Sequence, residues 1–497
     1  MARDDPDAPL VELLARTGAI SPDATRIVTH GAVIILDGDR AWKLKRPVAY
    51  RYLDFSTAER RRDTLREELR LNRRTAPQLY RGVHAITRDD GGGVSLDGAG
   101  EPVDWVLEMT RFPDDALLAR YADDGLLDDA LLTALAERIA ALHHGAEISG
   151  DTHGARRLLD VVVGNRASMA RYPAILDPAL ADTVTDQLTA QIGAQSALLD
   201  DRAAGGRVRH GHGDLHLDNI AVLDGIPVPF DCLEFDPEYA IADVLYDLAF
   251  TLMDLWARGL RHEANLLVNA YLDAAPDDES GFVLLPTMVA VRATVRAHVR
   301  AAAGDAEESR DYLALARSVL EPTPARLIAV GGASGTGKST LARAISGDIG
   351  AAPGARVLRS DVLRKRLAGV PALTGLPSSG YTPERGSQVY AELGRLAAAD
   401  LSGGMSVIAD AVFGQNAERE GIIATASRAG CEFAGIWLEL PEGQRITRIE
   451  GRGPDASDAT AAVARAQTNS VEPPAAGWTC LLSDGHTVAA VTRALRG

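Results

Sequence analysis

Gly332-Ala333-Ser334-Gly335-Thr336-Gly337-Lys338-Ser339 is the stretch that decides how this chain is read. The apolar run Leu327-Ile328-Ala329-Val330 before it has the length of a buried strand, and Thr340-Leu341-Ala342-Arg343-Ala344-Ile345 after it opens a helix. Between them the spacing G-x-x-x-x-G-K-S lets the backbone curl, because glycine carries no Cβ to clash. Successive N–H groups can then face one point and, with the positive end of the helix, hold phosphate oxygens. Lys338 reaches the outer phosphates and the Ser339 hydroxyl suits Mg2+, so residues 332–340 are expected to bind ATP.

A chain of 497 residues is too long for one core and implies two or three domains. Its 46% hydrophobic and 24% charged residues are ordinary for a globular protein. No uninterrupted run of about 18 apolar residues occurs, so no membrane-spanning segment is expected. The first seven residues, Met-Ala-Arg-Asp-Asp-Pro-Asp, hold no apolar signal core. Cys232, Cys431 and Cys480 form no metal-binding spacing and fit reduced thiols, hence a cytoplasmic location. The net charge is −17, yet residues 325–497 carry 18 Lys/Arg against 16 Asp/Glu, so the acidity belongs to the first two thirds. That imbalance argues against a nucleic-acid partner there and suits a cation-attracting cleft. No motif sets an oligomeric state.

A helical pattern through Tyr312–Leu320 stops at Glu321-Pro322-Thr323-Pro324, where two prolines end a helix and stiffen a linker. The expected segments are therefore 1–321, the linker 322–324, and 325–497.

The first segment carries its own phosphate-transfer signature, His212-Gly213-Asp214-Leu215-His216-Leu217-Asp218-Asn219. The strand Ile220–Leu223, the turn Asp224-Gly225 and the strand Ile226–Phe230 follow, ending on Asp231. This resembles the catalytic and metal loops of the aminoglycoside-phosphotransferase branch of the protein-kinase-like fold. The resemblance covers roughly residues 25–315. It implies that Asp214 takes or orients the acceptor hydroxyl's proton, while Asn219 and Asp231 hold Mg2+ on the nucleotide phosphates. His212 and His216 brace the loop, and Asp243 or Asp247 braces it from the helix beyond.

Further upstream, Val33–Leu36 and Arg40–Leu44 read as a hairpin. Ala41-Trp42-Lys43 is similar to the A-x-K of a kinase third strand, although Lys45 alternates onto the same face. Thr29–Ala32 would be the loop over the phosphates; it is not G-x-G-x-x-G, which disfavours a eukaryotic-type kinase. The helix from about Thr57 to Arg74 offers Glu67 and Glu68 as the lysine's partner, with Glu68 chosen from the surrounding leucines. The charged run Glu59–Asp63 is expected to be mostly solvated. Val106–Thr110 is similar to the strand leading to the adenine-reading hinge.

Beyond the phosphate loop, Val357–Asp361 reads as a strand ending on a carboxylate, and Met405–Asp410 as another. Ser360-Asp361-x-x-Arg364 resembles P-loop small-molecule and polynucleotide kinases. That resemblance implies Asp361 as base, Arg364 as substrate or phosphate clamp, Asp410 as a Mg2+ ligand, and Arg445, Arg448 and Arg452 in a lid, with Arg448 on the nucleotide.

The fold expected is thus mixed α/β and α+β: a protein-kinase-like bilobal domain followed by a P-loop nucleoside-kinase-like domain with a parallel sheet. The whole resembles bacterial bifunctional proteins that join an aminoglycoside-phosphotransferase-like domain to a P-loop AAA-type ATPase or small-molecule kinase domain. The function implied is ATP-dependent transfer of a γ-phosphate to a small-molecule hydroxyl. An amine-bearing acceptor such as an aminoglycoside or amino sugar fits the acidic part better than a phosphorylated one. The alternative is an ATP-sensing regulatory or stress-adaptation protein in which one nucleotide domain gates the other.

Overall fold

A computed structural model describes residues 8–50, 53–472, 474, 477–484, 487–488 and 491. The acidic heptapeptide at the start and the last six residues lie outside the described residues. The chain forms two compact units, Met1–Gly154 with Asp201–Thr251, and Ala155–Asp200 with Leu252–Gly497.

The first unit is built on a six-stranded antiparallel sheet. Its order is Thr25–Val28, Ala32–Asp37, Arg40–Lys45, Glu101–Thr110, Tyr80–Arg88, Val94–Leu96. Side chains alternate along a strand, so Trp42 and Leu44 enter a core with Val33, Ile35, Ile86 and Val106. Lys43 and Lys45 face the other way. The helix Ala58–Asn72, capped by the Thr57 side chain on the Arg60 N–H, buries Arg61, Leu65, Glu68, Leu71 and Asn72 at helical spacing. The charged run Glu59–Asp63 is not all solvated. Arg61 is buried and forks onto Asp104 at 2.9 and 2.8 Å, a bidentate pair that only the folded sheet supplies.

Downstream in the same unit, Ile220–Leu223 and Ile226–Pro229 form a hairpin. Its turn residues Asp224 and Gly225 both have positive φ, 51° and 76°. That is the mirror-image turn whose twist matches two paired strands.

The second unit contains the phosphate loop. Its five-stranded sheet is wholly parallel, in the order Arg356–Arg359, Val407–Asp410, Arg326–Gly331, Glu432–Glu439, Trp478–Leu482. Both faces are apolar, as a sheet covered by helices on both sides requires. The strand Arg356–Arg359 ends two residues before Asp361, which lies in the first turn of the helix Ser360–Leu367 instead of at a strand end. A carboxylate there is favoured by the helix dipole.

The second unit runs across the Glu321–Pro324 linker. The helix Ala306–Val319 ends just before it and the strand Arg326–Gly331 begins just after. Arg356, almost fully buried, reaches the helical part of the unit. It donates to Glu279 at 2.6 Å, Asp273 at 2.7 Å and Asn269 at 2.8 Å. Asn265 donates to the Pro353 and Ala355 carbonyls at 3.0 and 2.9 Å. The segments 1–321, 322–324 and 325–497 are thus a proposal about independence, tested by the fragment experiment in the Discussion. Among the described residues one helical stretch, Pro276–Ala303, is long and apolar enough to cross a membrane, and 72% of its apolar window is buried within the protein.

Candidate functional site

Three distant segments bring the upstream site together. Lys43 Nζ lies 2.6 Å from Glu68 Oε1 and 2.7 Å from Asp231 Oδ1. Glu67 pairs with Arg70 on the outer face instead. Burial alone would lower the pKa of Lys43, but Asp231 and Glu68 outweigh it and hold the ammonium well above the ordinary lysine value. Burial pushes Asp231 up, and the charge and hydrogen bond of Lys43 more than reverse that, leaving its carboxyl below the usual range.

Alternation alone leaves the register of Lys43 and Lys45 open; in the structure both lysines are paired. Lys45 Nζ contacts Glu68 Oε2 at 2.7 Å and Glu234 Oε1 at 2.5 Å. Burial, opposed by Lys45, leaves Glu234 with a raised pKa. Glu234 and Tyr80, whose hydroxyl accepts the Asp231 N–H at 3.1 Å, were missed. Only the alternation of Lys43 and Lys45 hinted that a second carboxylate was needed.

The loop 212–219 is held from below. Asp247 accepts the His212 N–H at 2.6 Å and the Gly213 N–H at 2.9 Å, while Asp243 is engaged by Arg202 at 2.7 Å. Of the two bracing candidates, Asp247 therefore touches the loop. Gly213 sits at φ 83°, and a Cβ there would stand 2.9 Å from the Leu233 Cβ, so this position accepts only glycine. Burial lowers the His212 pKa and keeps the ring neutral. Its Nε2 bonds the Phe230 carbonyl at 2.9 Å, tying the loop to the hairpin that carries Asp231. His216 lies 3.5 Å from Asp214 Oδ2 and its ring packs against Phe250.

Asn219 Nδ2 donates to the Asp214 carbonyl at 2.9 Å and to Asp214 Oδ2 at 3.0 Å. The amide nitrogen is thereby used, and the side-chain carbonyl oxygen is the end that would face a metal. Asp231 has φ 59°, a left-handed conformation rare for a side-chain-bearing residue. Among the described residues no three His, Cys, Asp or Glu side chains are grouped so as to hold a metal ion by themselves. A Mg2+ ion here would rest on Asn219, Asp231 and phosphate oxygens, a hard oxygen set that suits it. Cys232, next to Asp231, is buried and its thiol is pushed up to about 12, so it stays protonated.

The downstream site is made mostly of backbone. Gly335 has φ 85°, and a Cβ on it would meet the Arg445 carbonyl oxygen at 2.6 Å. Lys338 opens the helix Lys338–Ser346, and its Nζ lies 3.1 Å from the Ala333 carbonyl oxygen. Burial lowers its pKa, opposed by Asp410 and Asp361. Ser339 Oγ donates to Asp410 Oδ2 at 2.5 Å, joining the two expected Mg2+ oxygens. Gly332 and Gly337 also have positive φ, and Thr340 is exposed in the first helical turn.

Burial raises the Asp361 pKa, a shift toward the range a general base uses. Arg364 packs over the Tyr381 ring at 4.9 Å and donates to the Gly380 carbonyl at 3.0 Å. Of the three expected lid arginines, Arg448 reaches the Thr336 carbonyl at 3.4 Å. Arg445 is buried between two helices, and Arg452 bonds the Ser457 carbonyl at 2.8 Å. Two partners were not foreseen. Arg359 forks onto Asp455 at 3.0 and 2.9 Å, and Gln467 contacts the loop itself.

Comparison with known proteins gives one family match and several similar proteins. The family described as AAA domain matches residues 327–474. Solved structures similar to the earlier part include a choline/ethanolamine kinase family protein from Mesorhizobium loti, at 12% identity, TM-score 0.38, covering 63% of this chain and 95% of that one. A thermostable mutant of aminoglycoside phosphotransferase APH(4)-Ia matches at 12% identity, TM-score 0.39, covering 62% and 97%. A gluconokinase from Sinorhizobium meliloti 1021 matches at 20% identity, TM-score 0.25, covering 34% and 88%. Scores that low carry no functional inference. Sequence similarity reaches much further along the chain: the uncharacterized protein Rv2004c of Mycobacterium tuberculosis is 33% identical over 464 residues, 88% of each chain. With two phosphate-handling motifs in one chain and similarity spanning nearly all of it, this protein belongs to the family of Rv2004c.

Proposed function

We propose that this chain is an ATP-dependent phosphotransferase that moves a γ-phosphate to a hydroxyl of a small molecule at the Asp214 site, and that its phosphate loop is a second nucleotide site. The observation that carries this reading is the convergence of Lys43, Glu68 and Asp231 within 2.7 Å contacts although Lys43 and Asp231 stand 188 residues apart. Phosphoryl transfer needs positioning and charge neutralisation more than covalent help. Lys43 would hold inner phosphates, and Asn219 and Asp231 would bind Mg2+, which neutralises charge on the phosphates. Asp214 would receive the acceptor's proton as the hydroxyl oxygen bonds phosphorus and the bridging oxygen leaves with ADP. The acidic first part of the chain favours an amine-bearing acceptor, an aminoglycoside or amino sugar, in a reducing cytoplasm.

At the second site Asp361 would act as base, Arg364 and Arg448 as phosphate or substrate clamps, and Ser339 with Asp410 as Mg2+ ligands. Full-length protein with Mg·ATP and a library of hydroxyl compounds, read by ADP release, tests the proposal. Turnover stimulated by particular acceptors supports it. Slow hydrolysis indifferent to every acceptor would favour the sensing alternative. The buried Arg356 cluster lends that alternative some support, because it ties the strand leading to Asp361 to the helical part of the same unit.

A further inference from the structure

The turn that carries Asp231 is tied down one residue at a time. The Phe230 carbonyl meets His212 Nε2 at 2.9 Å. The Asp231 N–H donates to the Tyr80 hydroxyl at 3.1 Å, and the Cys232 N–H to Asn72 Oδ1 at 2.9 Å. The Leu233 N–H donates to the His212 carbonyl at 2.9 Å. Glu234 ends the series, and its tie is a side chain: Lys45 Nζ donates to Glu234 Oε1 at 2.5 Å. Such bracing suits Asp231, whose φ of 59° persists only where the surroundings impose it.

Lys43 and Lys45 lie two residues apart on one strand face and share Glu68, Lys43 Nζ at Oε1 and Lys45 Nζ at Oε2. Their second carboxylates differ in exposure. The Asp231 side chain, against Lys43, is 40% exposed, whereas Glu234, against Lys45, is 9% exposed and Lys45 itself 3%. Phe55 covers Lys45 as well, with its ring centroid 5.4 Å from Nζ. Lys43 and Asp231 thus form the open end of the network. A phosphate on Lys43 and Mg2+ on Asp231 would each replace the contact these two make with each other. Lys45 and Glu234 form the closed end, and theirs is the ion pair that still joins the strand to the turn. We propose that Lys45 and Glu234 are positioning residues that hold the Asp231 turn in place for Mg2+ once the nucleotide has taken Lys43.

The inference rests on reading Asp231 as a Mg2+ ligand of the upstream nucleotide site, and the test separates the two. The parent is the full chain carrying Lys338→Ala, which weakens the downstream site. Calorimetry compares its affinity for Mg·ATP with that for ATP in EDTA. Lys43→Met in this parent should weaken both, because it removes a phosphate contact. Glu234→Gln keeps the size of the side chain and removes its charge. It is expected to weaken Mg·ATP about tenfold, as loss of a group behind a metal ligand does, and metal-free ATP less than about twofold. Lys45→Met should show the same split; if it fails to fold, the near-isosteric Glu234→Gln decides alone. Equal losses with and without metal, as a general structural role or a direct phosphate contact would give, overturn the proposal. So does unchanged Mg·ATP affinity in Glu234→Gln. A parent whose ATP binding is indifferent to Lys43→Met overturns the upstream nucleotide site instead.

Discussion

The two candidate phosphate sites of this chain are built from opposite materials. Upstream, Lys43, Lys45, Glu68, Asp231 and Glu234 form a dense network of side-chain charges drawn from separate segments. Downstream, nine consecutive residues supply a backbone cradle, and side chains only trim it. A charge network is sensitive to the loss of any one member, because the remainder is left buried and uncompensated. A backbone cradle tolerates changes in many side chains but not an added Cβ at Gly335. The contrast sets what each kind of substitution should do.

Asp214→Ala should have the largest effect. Losing a positioned proton acceptor costs roughly 10²–10⁴-fold in rate, while ATP affinity at the upstream site is retained, since the groups proposed for the phosphates and Mg2+ are Lys43, Asn219 and Asp231. Steady-state turnover with an accepted substrate, alongside nucleotide titration, checks both halves. Wild-type turnover would mean that the base lies elsewhere.

Glu68→Ala strips the shared carboxylate from two buried lysines and should cost about 3–5 kcal/mol of stability in urea unfolding. If the upstream network is held by packing more than by charge, the loss will stay near 1 kcal/mol and the contrast weakens.

Lys338→Ala should weaken ATP at the downstream site by about 10–100-fold, the loss of charge-assisted contacts to phosphate. Asp361→Ala should leave binding nearly unchanged and lower transfer alone. A fluorescent ATP analogue titrated into both variants distinguishes them; matched losses of affinity would merge the two roles.

Cutting the chain near residue 323 asks whether the linker is also a physical boundary. The sequence leads one to expect two soluble fragments, each binding one Mg·ATP. The Arg356 cluster crosses that point within one unit, so the fragment 325–497 should melt below the corresponding transition of the intact chain. A cost of about 2 kcal/mol corresponds to a fall of ~4–8 °C. Equal melting of the fragment and the whole would mean that the cluster stabilises nothing.

The pH dependence of stability turns on Asp400 in that same region. Burial, then Glu279, pushes its carboxyl up to about 8, and one oxygen has no hydrogen-bond partner. The unfolded chain releases this proton near its ordinary value of 3.8. Between roughly pH 4 and 8 the folded state therefore binds more protons, and stability falls as pH rises through that window. Asp400→Asn should flatten the slope by at most about 1.4 kcal/mol per pH unit, measured as urea midpoints at several pH values. An unchanged slope would return Asp400 to an ordinary carboxylate.

What could be read without coordinates was whatever the chain encodes over a short span. The phosphate loop, the strand before it and the helix after it are contiguous, and glycine spacing dictates the backbone conformation there. The same holds for the 212–219 loop and the Asp224-Gly225 turn. Strand alternation put Lys43 and Lys45 on one face, and the leucine pattern selected Glu68. The tertiary structure alone decided the pairings that close distant segments: Lys45 with Glu234, Asp247 instead of Asp243 beneath the loop, Arg61 buried on Asp104, and Gln467 on the phosphate loop. These are choices among several chemically equivalent carboxylates and amides. Which of them wins depends on which is buried within reach once the sheets and helices have packed.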